Sequence, residues 1–235
     1  MSAVQCREVS RIFQQGETRV PGLDRVSVSI APGEFVCLSG PSGSGKTTLL
    51  NVIGALDTPD SGEVCVAGEQ LGRLSKAQLA ELRLRRIGFV FQAYNLIPVL
   101  TARENVEFVM QVQGVAAAQR HAIADEVLHA VGLQGLEERR PAQLSGGQQQ
   151  RVAVARAIAS KPALVLADEP TANLDSHSAA RLMDLFEQLN SERGVTFVIA
   201  THDTRVMGYA RRLLHLRDGQ VISDQPQEPR RMAVE

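Results

Sequence analysis

Residues Gly40 to Thr47 read GPSGSGKT, a fit to GxxxxGK[ST] set between the apolar run Phe35-Val36-Cys37-Leu38 and the helix-like Thr48-Leu49-Leu50-Asn51-Val52-Ile53. Strand, glycine-rich turn and helix is the context this pattern requires. Glycine at 40, 43 and 45 lets backbone N–H groups close around phosphate oxygens without obstruction by side chains, and the N-terminus of the following helix adds positive potential. Lys46 is the residue to reach β- and γ-phosphates, and the Thr47 hydroxyl is the ligand for a bridging Mg²⁺. A plain flexible turn would need neither lysine nor hydroxyl in register. Gly40, Pro41, Ser42, Gly43, Ser44, Gly45, Lys46, Thr47 and the adjoining Thr48 are therefore the candidate contacts to a nucleoside triphosphate.

The rest of the 235 residues bounds this reading. The length suits one composite domain with a substantial core. A net charge of −1, with both signs mixed along the chain, gives no broad attraction to nucleic acid or anionic lipid. The longest apolar runs, such as Ala163 to Ala167 and Val195 to Ala200, fall short of the roughly 20 residues of a membrane span. Arg7 and Glu8 interrupt the start, which argues against an export signal. Cys6, Cys37 and Cys65 are few and far apart, each in a strand-like run, as expected of reduced thiols in the cytoplasm.

Working outward, Val4 to Phe13 and Val26 to Ile30 alternate like antiparallel strands, with Gly16 and Pro21-Gly22 offering turns between them. Phe13 is suited to stack on a base or to pack in the strand. Glu63 to Ala67 continues this β layer. Ser75 caps a helix reaching Arg86, with Arg83, Arg85 and Arg86 as a solvated face. Ile87 to Phe91 is strand-like and delivers Gln92 to a loop. Thr101 with Glu104 opens a helical segment carrying Ile123, Val127 and Val131 as an apolar stripe. Leu144-Ser145-Gly146-Gly147-Gln148 opens another helix and reads either as a second anion site or as a plain cap. The run Ala163 to Ala167 ends in Asp168 and Glu169, one carboxylate placed for Mg²⁺ and the next for a proton from water. Thr196 to Ala200 likewise ends at Thr201-His202-Asp203. Of five histidines only His202 shares this strand-end position; His121, His129, His177 and His215 have no nameable partners in sequence. Leu213 to Leu216 and Gln220 to Ile222 form a hairpin around Asp218-Gly219, and residues 223–235 are expected to be a disordered tail.

Together these motifs resemble the ATP-binding cassette family from about Val4 to Ile222. GPSGSGKT is similar to Walker A, LVLADE to Walker B and LSGGQ to the family signature; Gln92 resembles the Q-loop glutamine, Thr171 to Asp175 the D-loop, and His202 the switch histidine. The resemblance implies an α/β fold of the P-loop NTPase type: an ABC nucleotide-binding domain with a parallel core sheet, an antiparallel β subdomain near the start, and a helical subdomain over about 93–160. It implies ATP hydrolysis with Mg²⁺ held by Thr47, Gln92 and Asp168. Glu169, His202, Gln92 and Lys46 would do the chemistry, and Phe13 would stand where a tyrosine often stacks on adenine. It also implies a head-to-tail homodimer in which Ser145, Gly146, Gly147 and Gln148 of each chain cap the ATP of the other.

Within the family, VFQAYNLIPVLTARENV, IGALDTPDSGEV and LADEPTANLDS resemble the branch serving lipoprotein release, macrolide or peptide export, and cell division. That branch implies a peripheral ATPase on the cytoplasmic face of the inner membrane, beneath a separate permease that docks near Gln92 to Leu100. A regulatory clamp without transport is the alternative there. A soluble cassette acting on DNA or ribosomes is disfavoured, because such members carry tandem cassettes or long coiled-coil insertions.

Overall fold

In the computed structural model, which describes residues 2–16 and 18–229, the glycine-rich loop joins the fully buried strand β3 (Phe35–Ser39) to helix α1 (Lys46–Ile53). Around β3 lies a six-stranded sheet in the order β10 (Gln220–Pro226), β9 (Arg212–Arg217), β3, β8 (Thr196–Ala200), β7 (Leu164–Asp168), β6 (Ile87–Val90). All neighbours are parallel except β10, which pairs antiparallel with β9. The period-two alternation of a strand explains the layering. Val36 and Leu38 of β3, Leu164 and Leu166 of β7, and Val198 and Ala200 of β8 face one side, where α1 packs. Phe35 and Cys37, Val165 and Ala167, and Phe197 and Ile199 face the other, toward the helices.

The first side is closed by an antiparallel sheet in the order β2 (Thr18–Ile30), β1 (Val4–Gln15), β4 (Ser61–Val66), β5 (Glu69–Gln70). Helix α2 (Lys76–Arg86) starts in a capping box of Ser75 with Gln78. The second side carries α3 (Ala102–Val112), α4 (Ala117–Ala130), α5 (Gly146–Ala159) and α6 (Ser176–Arg193), with the short α7 (Thr204–Met207) beyond β8. Thr101–Glu104 forms the expected capping box, and Gly114 at φ +81° lies in the connection that separates α3 from α4. Phe186 stacks on Phe197 at 4.8 Å between ring centroids and anchors α6 to the sheet.

Three expectations are corrected here. Pro21-Gly22 is no turn: both lie inside β2, where the register with β1 shifts between Leu23 and Pro21, and only the region of Gly16 reverses the chain. Ser223 to Pro226 are no disordered tail, because β10 runs on to Pro226 and Arg212 grips Asp224 through two N–H groups at 2.7 Å; residues 230–235 of the expected tail lie outside the described residues. Arg83 is not merely solvated, since its guanidinium donates to the Ala55 carbonyl at 2.8 Å, just past α1. Cys6 and Cys37 are buried, and burial pushes both thiols up to about 12, so they stay protonated. No helix among the described residues is long and apolar enough to cross a membrane.

Candidate active site

Parallel register brings the chemistry to one edge. Leu38 of β3 pairs with Ala200 of β8, and Ala200 pairs with Asp168 of β7, so the loop from Gly40, the pair Asp168–Glu169 and Thr201–His202 all leave the sheet at the same level. Val90 pairs with Ala167, which adds Gln92 to that edge. A cleft of about 500 Å³ results, lined by residues Ser42 to Thr48 together with Gln92, Glu169, Ala172 and His202. Ligands of open α/β sheets bind at the carboxyl ends of strands.

The loop geometry is that of an anion cradle. Gly40 stands at φ +142°, where a Cβ would run into the Leu216 carbonyl, and Gly45 at φ +103° would meet the Gly22 carbonyl. Gly45 caps α1 without any side-chain hydrogen bond, which leaves the first-turn N–H groups facing the cleft. Lys46 is nearly buried, and its Nζ donates to the carbonyls of Gly40 and Pro41 at 2.8 and 2.9 Å. The Ser44 hydroxyl is buried with no hydrogen-bond partner among the described residues. An uncapped helix start and an orphaned hydroxyl, beside a lysine held only by carbonyls, are the polar groups a polyphosphate satisfies.

Behind the loop, burial pushes the Asp168 carboxyl above its ordinary range; a hydrogen bond from Thr47 opposes this, Glu169 adds to it, and the Lys46 charge opposes it. Glu169 is held by three donors: Thr201 Oγ1 to Oε2 at 3.0 Å, the His202 backbone N–H to Oε1 at 3.1 Å, and contact of His202 Nδ1 with Oε1 at 2.8 Å. The rest of the His202 ring is largely exposed and lines the cleft. Asn173 donates to the Gln92 carbonyl at 2.9 Å, tying the loop after β7 to the loop after β6.

Two groups of expected contacts lie apart from this cleft. Phe13 is partly exposed and rests on Gly22, whose Cβ, if present, would clash with the ring and lie 3.2 Å from the Thr48 methyl; Arg11 covers the ring at 5.2 Å. Ser145, Gly146, Gly147 and Gln148 open α5 away from the cleft, with Ser145 and Gln148 forming a capping box. Thr201, Asn173 and Gln150 were not singled out by sequence reasoning, because their partners are 32, 81 and 20 residues away.

The loop after Gln92 is also fixed from outside. Tyr94 and Asn95 have φ of +55° and +50°, and Arg156 of α5 donates to their carbonyls at 3.0 and 2.5 Å. Beside them runs a groove of about 490 Å³ whose walls include Leu56, Phe89, Phe91, Asn95, Val109 and Arg156. Leu96, by contrast, packs on the helix-side core.

Residues 23–172 match the protein-family model described as ABC transporter. The chain belongs to the ABC transporter family. It is an ABC ATPase cassette of α/β architecture, and ATP binding goes with that membership. The cassette is 43% identical over 229 residues to the macrolide export ATP-binding/permease protein MacB of Mannheimia succiniciproducens, covering 97% of this chain and 36% of that protein. It thus spans about a third of the length of the MacB relatives it matches. An uncharacterized ABC transporter ATP-binding protein of Thermotoga maritima is 47% identical over 214 residues, 91% of each chain. Among solved structures, the cassette superposes on the dimeric post-hydrolysis state of the ATP-binding cassette MJ0796 bound to ADP and Pi, with a TM-score of 0.88 at 42% identity, over 95% of this chain and 98% of that one.

Proposed function

We propose that this cassette hydrolyses ATP in the cleft at the strand ends and passes the resulting motion to a membrane permease of the macrolide- or lipoprotein-export type. The observation that carries this reading is the Glu169 carboxylate, hydrogen-bonded to Thr201 and His202 at the mouth of a cleft whose floor is Lys46 and Thr47. Backbone N–H groups of residues 43–48 and the Lys46 ammonium bind the phosphates, and Phe13 stacks on adenine. The donor set of Thr47, Asp168 and Gln92, all oxygen ligands, suits Mg²⁺, which neutralises charge on the β- and γ-phosphates when bound. Glu169 orients and polarises the attacking water, accepting its proton. His202 holds Glu169 and contacts the γ-phosphate.

Ser145 and Gly147 lie outside the cleft of their own chain, so they serve the other chain's nucleotide in a head-to-tail pair. MJ0796 is described as dimeric, which supports this reading. The groove walled by Leu56, Phe89, Phe91 and Arg156 receives the permease, placing the cassette on the cytoplasmic face of the membrane. The test is Glu169→Gln. ATP binding is retained and hydrolysis falls by about 10²–10⁴-fold, the usual contribution of a general base; near-normal turnover refutes the assignment.

A further inference from the structure

Gln150 lies on α5, fully buried; its Nε2 donates to the Pro170 carbonyl at 2.7 Å, while its Oε1 has no hydrogen-bond partner among the described residues. A buried amide with one end unsatisfied weakens a fold, and methionine or leucine would fill the same space without that cost. The donor end therefore carries the reason for the residue.

Pro170 directly follows Glu169, which stands at φ +45°. That conformation is disfavoured twice, once because Glu169 has a side chain and once because a residue before proline prefers φ near about −120°. Something must hold it. The Glu169 N–H donates to the Ala200 carbonyl at 2.9 Å, and the Glu169 carbonyl accepts from the Ala172 N–H at 3.2 Å. Pro170 has no N–H of its own, so its buried carbonyl is the remaining point of attachment, and Gln150 grips it.

We infer that Gln150 is a positioning residue for Glu169: by holding the Pro170 carbonyl it keeps the Glu169 backbone in its left-handed turn, with the carboxylate aimed at Thr201 and His202. The inference rests on Glu169 as the base proposed above. It also links the two ends of the site, because Gln150 and Ser145 share the first turns of one helix. A nucleotide that engages Ser145 is thereby connected, through α5, to the geometry of Glu169 in the same chain.

The experiment compares the full chain with its Gln150→Met and Gln150→Glu variants in steady-state ATP hydrolysis, with thermal unfolding alongside. Gln150→Met is expected to fold and to keep KM for ATP. Its kcat falls by up to about a hundredfold, the scale of a displacement of about 1 Å at a reacting group. In Gln150→Glu the introduced carboxyl can donate to Pro170 only while protonated, so the ratio of its kcat to that of the parent falls as pH rises, whereas the Gln150→Met ratio stays flat. A Gln150→Met protein that turns over at the parent's rate overturns the inference, as does equal damage to kcat and KM. If Gln150→Met does not fold, the pH dependence of the Gln150→Glu ratio decides, and a flat ratio overturns it. Glu169→Gln is run in parallel: its normal turnover would refute the base itself, while an inactive Glu169→Gln beside a fully active Gln150→Met refutes only the positioning role.

Discussion

Thr201→Val is the most informative small change at the site. Thr201 is fully buried at the end of β8, where its hydroxyl donates to Glu169 Oε2 at 3.0 Å and accepts from the Asp203 N–H at 3.1 Å. Valine has nearly the same shape and removes both bonds without opening a cavity. A hydrogen bond to a charged partner contributes about 1.5–3 kcal/mol. The Glu169 side chain is 18% exposed and water replaces part of the loss, so the lower end of that range, about 1.5–2 kcal/mol, applies. For a chain of this size the melting temperature falls by about 2–4 °C per kcal/mol, hence by about 3–8 °C. Glu169 keeps its two contacts with His202, so turnover drops by about tenfold, the equivalent of 1.4 kcal/mol, and is not abolished. Differential scanning calorimetry and a phosphate-release assay read the two effects, with Thr201→Ser as the variant that keeps the hydroxyl and the parental kcat while the loss of its buried methyl lowers the melting temperature. A Thr201→Val protein with unchanged melting temperature and unchanged kcat would refute the claim that this hydroxyl holds the base.

Gly22→Ala tests the base-binding end: the added Cβ displaces the Phe13 ring that rests on Gly22, and loss of aromatic stacking at about 0.5–1.5 kcal/mol weakens ATP binding by up to about tenfold in a nucleotide titration. Unchanged affinity would remove Phe13 from the adenine site. Leu56→Asp places a charge on a side chain that is 48% exposed at the wall of the apolar groove; if the proposed permease docks there, basal ATPase of the isolated cassette persists while stimulation by that partner is lost. Retained stimulation would move the docking surface elsewhere.

The architecture and the cleft were legible in the sequence wherever local pattern carried them. Apolar runs ending in polar residues marked β3, β7 and β8, and parallel pairing then had to bring Gly40, Asp168 and Thr201 to one edge. Caps at Ser75, Thr101 and Ser145 were readable because a capping box is closed within three residues. What escaped was set by partners far along the chain. Pro21-Gly22 has turn chemistry, yet β1 supplies a long enough edge to absorb it as a register shift within β2. Ser223 to Pro226 is polar, but Arg212, held also by Glu34, draws Asp224 onto β9. The tight hold on Glu169 was equally hidden, since Thr201, His202 and Gln150 reach it or its neighbour from two other elements. Leu96 lies within the Gln92 to Leu100 stretch expected to meet a permease, yet it is partly buried against the helix-side core, next to the Tyr94 and Asn95 carbonyls that Arg156 holds.

The composite site in a head-to-tail pair is tested most directly by light scattering on the hydrolysis-deficient Glu169→Gln protein, with and without ATP. A ligand that bridges two chains stabilises their association only while it is bound. The mass is predicted to be that of a monomer without nucleotide and of a dimer with ATP, and Ser145→Arg in the same background keeps it monomeric. An ATP-bound Glu169→Gln protein that stays monomeric at micromolar concentration, or a Ser145→Arg double variant that dimerises equally well, would contradict the shared site.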